Sequence, residues 1–160
     1  MKMEQLQLIM KRLKDGLISN IKIITLIIIV ALFFNLIWEY LQCGPFFIHK
    51  DIQPTHYDMF KASLGDVLIT LFAFFIIAWL SKSLYWVAES WNRWHWFAMI
   101  SLALIISFFI ELFALRADWW AYTEISPLIF GQVSALPVLQ LLLLFPLVFY
   151  LAKKIFIKIN

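Results

Sequence analysis

Four long stretches of mainly apolar residues, at about 23–43, 62–80, 97–115 and 137–153, account for half of this 160-residue chain. Each approaches the ~20 residues an α-helix needs to cross the ~30 Å hydrocarbon core of a bilayer. Inside that core every backbone N–H and C=O must find a partner within the protein, so segments of this kind are stable there as helices. Charged residues make up 14% of the sequence, against about a quarter in soluble domains. The expected architecture is an all-α membrane protein of one domain, a four-transmembrane-helix bundle.

Ahead of the first stretch, Leu6, Ile9, Met10, Leu13 and Leu17 recur at helical spacing with Lys11, Arg12 and Lys14 between them. This pattern predicts a short N-terminal amphipathic helix over residues 1–22, lying on the membrane surface. The apolar run that follows is span-length, and no small-residue cleavage site closes it, so it does not read as a signal peptide. Gly44 and Pro45 are expected to end the first span. Pro146, inside the fourth, marks a position where a helix can kink. The segment between spans two and three contains four tryptophans at interfacial depth, which read as an anchoring belt.

Orientation follows from the basic residues. The N-terminal segment, the second loop and the C-terminal tail hold ten Lys and Arg, against three in the first and third loops. The excess of positive charge marks the cytoplasmic side, so both termini are expected to be cytoplasmic in a cell inner (plasma) membrane. Because these charges sit at the ends of apolar runs and form no basic face, they act as topology signals, and no nucleic-acid partner is expected. A single cysteine, Cys43, leaves no internal disulfide and no multi-cysteine metal motif; it reads as a small buried apolar residue.

Given that topology, the polar residues of the spans converge. At 1.5 Å per residue Glu39 lies roughly 6 Å from the outer end of span one, with Asn35 and Gln42 on the same helical face. Asp66 enters span two at a similar depth, Glu111 does so in span three, and Gln140 in span four. A carboxylate at the centre of a spanning helix costs about 2.5–3.5 kcal/mol, and less near the interface. Three such residues therefore argue for an inward-facing pocket. Carboxyls held in unlike surroundings titrate apart, leaving one proton donor beside one anionic base or cation stabiliser. Glu39, Asp66 and Glu111 are the candidate catalytic groups. The alternative is that these carboxyls, with Asn35 and Gln140, are polar glue between helices.

Residues 111–140 carry more chemistry than a turn between membrane helices requires: Arg116, Asp118, Trp119, Trp120 and Tyr122, followed by a glycine and two prolines. Together with Asn35, Trp38, Gln42 and Gln140 these are the expected substrate contacts. His49 and His56, accompanied by Asp51 and Asp58, match no strong ligand motif, and no metal site is assigned. His95 reads as interfacial. Walker, dinucleotide, nucleophile-elbow and zinc patterns are absent, so no cofactor is expected and nucleotide chemistry and serine hydrolysis are set aside.

The run Trp120-Ala-Tyr122, then Pro127, Gly131 and Pro137-Val-Leu-Gln140 at the head of an apolar helix, resembles the signature of the small membrane lycopene cyclase domain. The likeness covers about 30 residues. Where that family has paired glutamates, this chain has Leu139 and Gln140, so acid chemistry would rest on Glu39, Asp66 or Glu111. The whole chain also resembles an uncharacterised bacterial family of four-span membrane proteins, through Asn35-x-x-Trp38-Glu39-x-x-Gln42, Gly65-Asp66, Glu111, Trp120-x-Tyr122 and Pro137-x-x-Gln140. The first resemblance implies an isoprenoid cyclase or isomerase in which carboxyls move protons and rings stabilise a carbocation. A non-enzymatic binder of a lipid or small amphiphile stays open, as do a homodimer and a place in a larger membrane complex. A proton-coupled transporter would need polar residues through both leaflets, and the inner halves of spans one, three and four lack them.

Overall fold

The computed structural model describes residues 3–48 and 54–159. Four helices form the molecule: α1 (Met3–Phe46), α2 (His56–Ser81), α3 (Arg93–Arg116) and α4 (Ala135–Ile159). All four are long and apolar enough to cross a membrane. The protein is thus a multi-pass, all-α membrane protein built as a four-helix bundle.

Side-chain burial follows from that solvent. Ile27, Phe74, Phe145 and Phe149 are fully buried at the centre, whereas Phe33, Phe72, Trp79, Phe109 and Leu143 project outward from the helices. Outward-facing rings and aliphatics on every helix are what a hydrocarbon surround selects. The start of α1, the end of α4 and the 82–92 connection lie at one end of the bundle, and the end of α1, the start of α2 and the 117–134 connection at the other, here termed the mouth end.

Local chemistry sets the helix ends. Thr55 and Asp58 cap α2 reciprocally: the Thr55 hydroxyl accepts from the Asp58 amide at 3.3 Å, and the Asp58 carboxylate accepts from the Thr55 amide at 3.1 Å. This starts α2 six residues before its apolar run. Asn92 and His95 form the corresponding box at α3, with the Asn92 side chain accepting from the Trp94 and His95 amides. At the other end of α2, Lys82 adopts a left-handed conformation (φ 54°), and the amides of Lys82 and Ser83 return to the Trp79 and Ala78 carbonyls.

Helix α1 departs from expectation at both ends. Its 44 residues form one unbroken helix, about 66 Å at 1.5 Å per residue, so the amphipathic N-terminal stretch is the first part of α1, not a separate element. Nothing between that stretch and the span interrupts it, since Gly16 stays helical. At its far end α1 continues through Gly44 and Pro45 to Phe46. The last carbonyls find partners there: the Thr123 hydroxyl donates to Pro45 at 2.9 Å and the Thr123 amide to Phe46 at 3.2 Å. Helix α4 likewise runs on through Pro146.

Those Thr123 contacts belong to a fold-back of the 117–134 connection over the mouth. Two short antiparallel pairs order it. Strand β1 (Phe47–Ile48) pairs with β2 (Ala121–Tyr122), with Phe47 opposite Tyr122, and β3 (Leu128–Ile129) pairs with β4 (Val133–Ser134). The β3–β4 turn holds Phe130 and Gly131 at φ 52° and 68°, the left-handed pair a tight hairpin demands, which is where glycine is needed.

The tryptophan-rich 82–92 connection also differs from a simple belt. Trp94 and Trp96 are exposed, but Trp86 is fully buried. It stacks against Phe74 and His95 with ring centroids 6.0 and 5.6 Å away, meets Phe149 at 5.1 Å, and donates its indole N–H to the Phe74 carbonyl at 3.2 Å. His95 is buried with it. Helix α1 packs on α2 and α4, and α3 mainly on α4; of these adjacent pairs α2 and α3 are the most loosely joined.

Candidate functional site

Asn35, Glu39 and Gln42 share one face of α1, and each is at least nine-tenths buried. Their partners come from other helices. The Gln140 side chain of α4 donates both amide hydrogens, to the Asn35 oxygen at 3.0 Å and the Asp66 carboxylate of α2 at 2.8 Å. Its oxygen accepts from the Gln42 amide at 3.3 Å, and that amide also donates to Glu39 at 2.7 Å. Asn35 turns its own amide to the Ala31 carbonyl at 2.9 Å, and the Trp38 indole donates to the Gln42 oxygen at 2.8 Å. Every amide hydrogen of Gln42 and Gln140 is therefore used, and three helices are tied through one glutamine.

The second Glu39 oxygen accepts from the Cys43 thiol at 2.8 Å. Asp66 is joined to Glu39 through the two glutamines, Gln140 and Gln42. Both Glu39 oxygens and one Asp66 oxygen accept from neutral donors.

Glu111, on α3, is 2% exposed and accepts from the Tyr122 hydroxyl, with Trp120 lining the same cavity wall. The Tyr122 phenol is half-buried in the connection over the mouth, where burial first and the hydrogen bond to Glu111 second push its pKa well above the usual tyrosine value. It stays a neutral donor, and Glu111 is its acceptor.

These groups border a cavity of about 680 Å³, a size typical of small-molecule sites, roughly 300–1,000 Å³. Glu39, Asp66 and Glu111 all line it, as do Gln42 and Gln140, with Trp119, Trp120, Phe47 and Phe113 contributing rings. The three carboxyls placed on separate helices by spacing alone do meet in one chamber.

The remaining residues divide. Asn35, Trp38 and Tyr122 stand one shell back, bonded to residues that line the chamber. Arg116 and Asp118, read from the sequence as substrate contacts, are exposed and do not line it. Five residues beyond Glu111, Arg116 has turned about 140° round the helix, away from the chamber. Asp118 follows the end of α3 in a left-handed turn (φ 52°). Neither neutralises the buried acids.

Cys43, read as a small buried apolar residue, is buried, and it is also a donor to Glu39 in the chamber wall; its place four residues after Glu39, on the same helical face, is the signal for that contact. Asp58 also borders the chamber while capping α2. His56 is held by Tyr40, whose hydroxyl lies 3.0 Å from its Nδ1. Among the described residues no group of three His, Cys, Asp or Glu is arranged to hold a metal; His49 and Asp51 lie outside them.

Fold and site together define a class: a multi-pass helical membrane protein with an internal, largely apolar chamber bordered by carboxyls from three helices. Comparison with protein-family models, characterised proteins and solved structures gives no match to this chain.

Proposed function

We propose that this chain is a membrane enzyme acting on an isoprenoid or another lipid by acid–base chemistry, as a cyclase or isomerase. The observation that carries the reading is the meeting of Glu39, Asp66 and Glu111, each from a different helix, in one apolar chamber beside Trp119 and Trp120. Its resemblance to the lycopene cyclase domain around Trp120, Tyr122 and Pro137 supports the same class.

The residues divide the work. A proton carried by Glu39 or Asp66 passes to an alkene carbon of the substrate, the π electrons forming the new C–H bond and leaving a carbocation. In a cyclisation a second alkene of the same molecule attacks that centre and forms the ring C–C bond. Glu111, already a hydrogen-bond acceptor, removes a proton next to the final cation, and the C–H electrons become the new double bond. The product is an isomer of the substrate and no electrons leave the system; the proton on Glu111 returns to the Glu39–Asp66 pair before the next turnover. Ring faces of Trp119 and Trp120 stabilise the cation, an interaction of about 2 kcal/mol or more once desolvated. Such general acid and base steps typically contribute 10²–10⁴-fold each.

With the Lys and Arg bias as guide, the mouth faces away from the cytoplasm in an inner membrane. A second reading, a non-enzymatic lipid or amphiphile carrier or a subunit of a membrane complex, draws on the saturated amides of Gln42 and Gln140, which already spend their donors on the protein itself.

Lipid extracts of cells expressing the intact chain, Glu39→Gln or Asp66→Asn, compared by mass spectrometry, test the proposal. An isoprenoid isomer present with the intact chain and lost in both variants, with bundles that still purify folded, is expected. Identical extracts from all three would leave the carrier reading.

A further inference from the structure

Beneath the chamber the bundle has a second opening. A cleft of about 490 Å³ runs between α2 and α3, lined only by apolar side chains: Leu68 and Phe72 from α2, Ile105 and Ile106 from α3, and Ile69, Phe109 and Ile110. The last three also line the chamber, so cleft and chamber share a wall. On α2, Asp66, Ile69 and Phe72 follow at three-residue intervals. One stripe therefore leads from the carboxyl toward mid-membrane, about 9 Å deeper at 1.5 Å per residue.

The gap has a structural cause. Of the four pairs of adjacent helices, α2 and α3 are the least closely packed. Trp86 fills the space between them only at the termini end, wedged against Phe74 and His95. Above that wedge the outer rim of the cleft, Leu68, Phe72 and Ile105, is exposed on the lipid-facing side. A soluble metabolite gains nothing from such a groove; a hydrocarbon chain does, because dispersion contacts with a fitted wall replace looser ones with neighbouring lipid.

We propose that the ligand is a single-chain membrane amphiphile that enters sideways from the bilayer between α2 and α3. Its tail lies in the cleft and its reactive or polar end reaches Glu39, Asp66 and Glu111. This inference rests on the proposed function for the identity of the chamber, and adds the route and the form of the substrate. The connection over the mouth, laid across α1 by the β1–β2 pair, then serves as a roof and not as the entrance.

Photo-crosslinking of the full chain in phosphatidylcholine nanodiscs, with a diazirine-bearing geranylgeraniol analogue as the probe, tests it. The expected result is label concentrated on residues 68–72 and 105–110, well above that on lipid-facing α4 at Leu143 and Tyr150. Ile106→Trp, which fills the cleft, should abolish the cleft label and spare the α4 label; Leu68→Trp, on the exposed rim, gives the same readout without disturbing the core. Label spread evenly over α2, α3 and α4, or undiminished in both variants, overturns the route. Product analysis separates the two ideas: cleft label on an intact chain that yields no isomeric product, or a product that persists in Glu39→Gln, removes the acid–base chemistry and leaves the route standing. A product formed by the intact chain without any cleft label removes the route alone.

Discussion

Gln140 is the residue on which the polar network turns. It makes three interhelical hydrogen bonds, to Asn35, Gln42 and Asp66. At about 0.6 kcal/mol for each such bond inside a membrane, Gln140→Leu should cost roughly 2 kcal/mol. Denaturation in mixed micelles measures this, and a loss indistinguishable from zero would mean the network contributes nothing to the fold. Tyr122 gives a second expectation. With its pKa raised in the folded chain, the pair it forms with Glu111 contributes stability that is complete below the unfolded tyrosine value, about 10, and lost as pH rises through the folded one. Ultraviolet titration of the intact chain against Tyr122→Phe should show one tyrosine of five ionising above the others; coincident curves would refute the buried pair. Glu39, Asp66, Glu111 and Gln140 were legible in the sequence because charge is costly at such depth and depth can be counted along a helix. The partner of Glu111 was not, since Tyr122 reaches it only through a loop whose path no periodicity encodes.

Among the elements, the 82–92 connection does more than join two spans. Trp86 holds α2 and α3 together at the termini end and leaves them apart above. Trp86→Ala should therefore cost about 3–5 kcal/mol, as large core truncations do. Trp94→Ala, at an exposed position, should cost under about 0.5 kcal/mol. Thermal unfolding of both variants checks the contrast, and equal effects would mean that Trp86 is a belt residue after all. Span positions were readable because each apolar run is bilayer-length. Their ends were not: α2 begins at the Thr55–Asp58 box and α1 runs past Gly44-Pro45 because Thr123, 78 residues further on, takes up its last carbonyls. Caps of the second kind are tertiary contacts, and a window of sequence cannot contain them. Which tryptophan of four would be buried depended likewise on how α2 and α3 meet.

At the scale of the whole molecule, the spans are apolar outside and mainly apolar in their buried core, and polar in one chamber near the mouth, with a cleft leading from that chamber to the lipid. The central claim is that three acids belong to a single site. Dicyclohexylcarbodiimide, an apolar reagent that attacks carboxyls in hydrocarbon surroundings, tests this directly in intact membranes, with modified peptides mapped by mass spectrometry while geranylgeraniol is titrated in. The account predicts modification at Glu39 or Asp66 and at Glu111, all protected at one common geranylgeraniol concentration. Modification confined to exposed acids such as Asp118 and Glu124, or protection of Glu111 at a concentration unrelated to that of the Glu39–Asp66 pair, would contradict it.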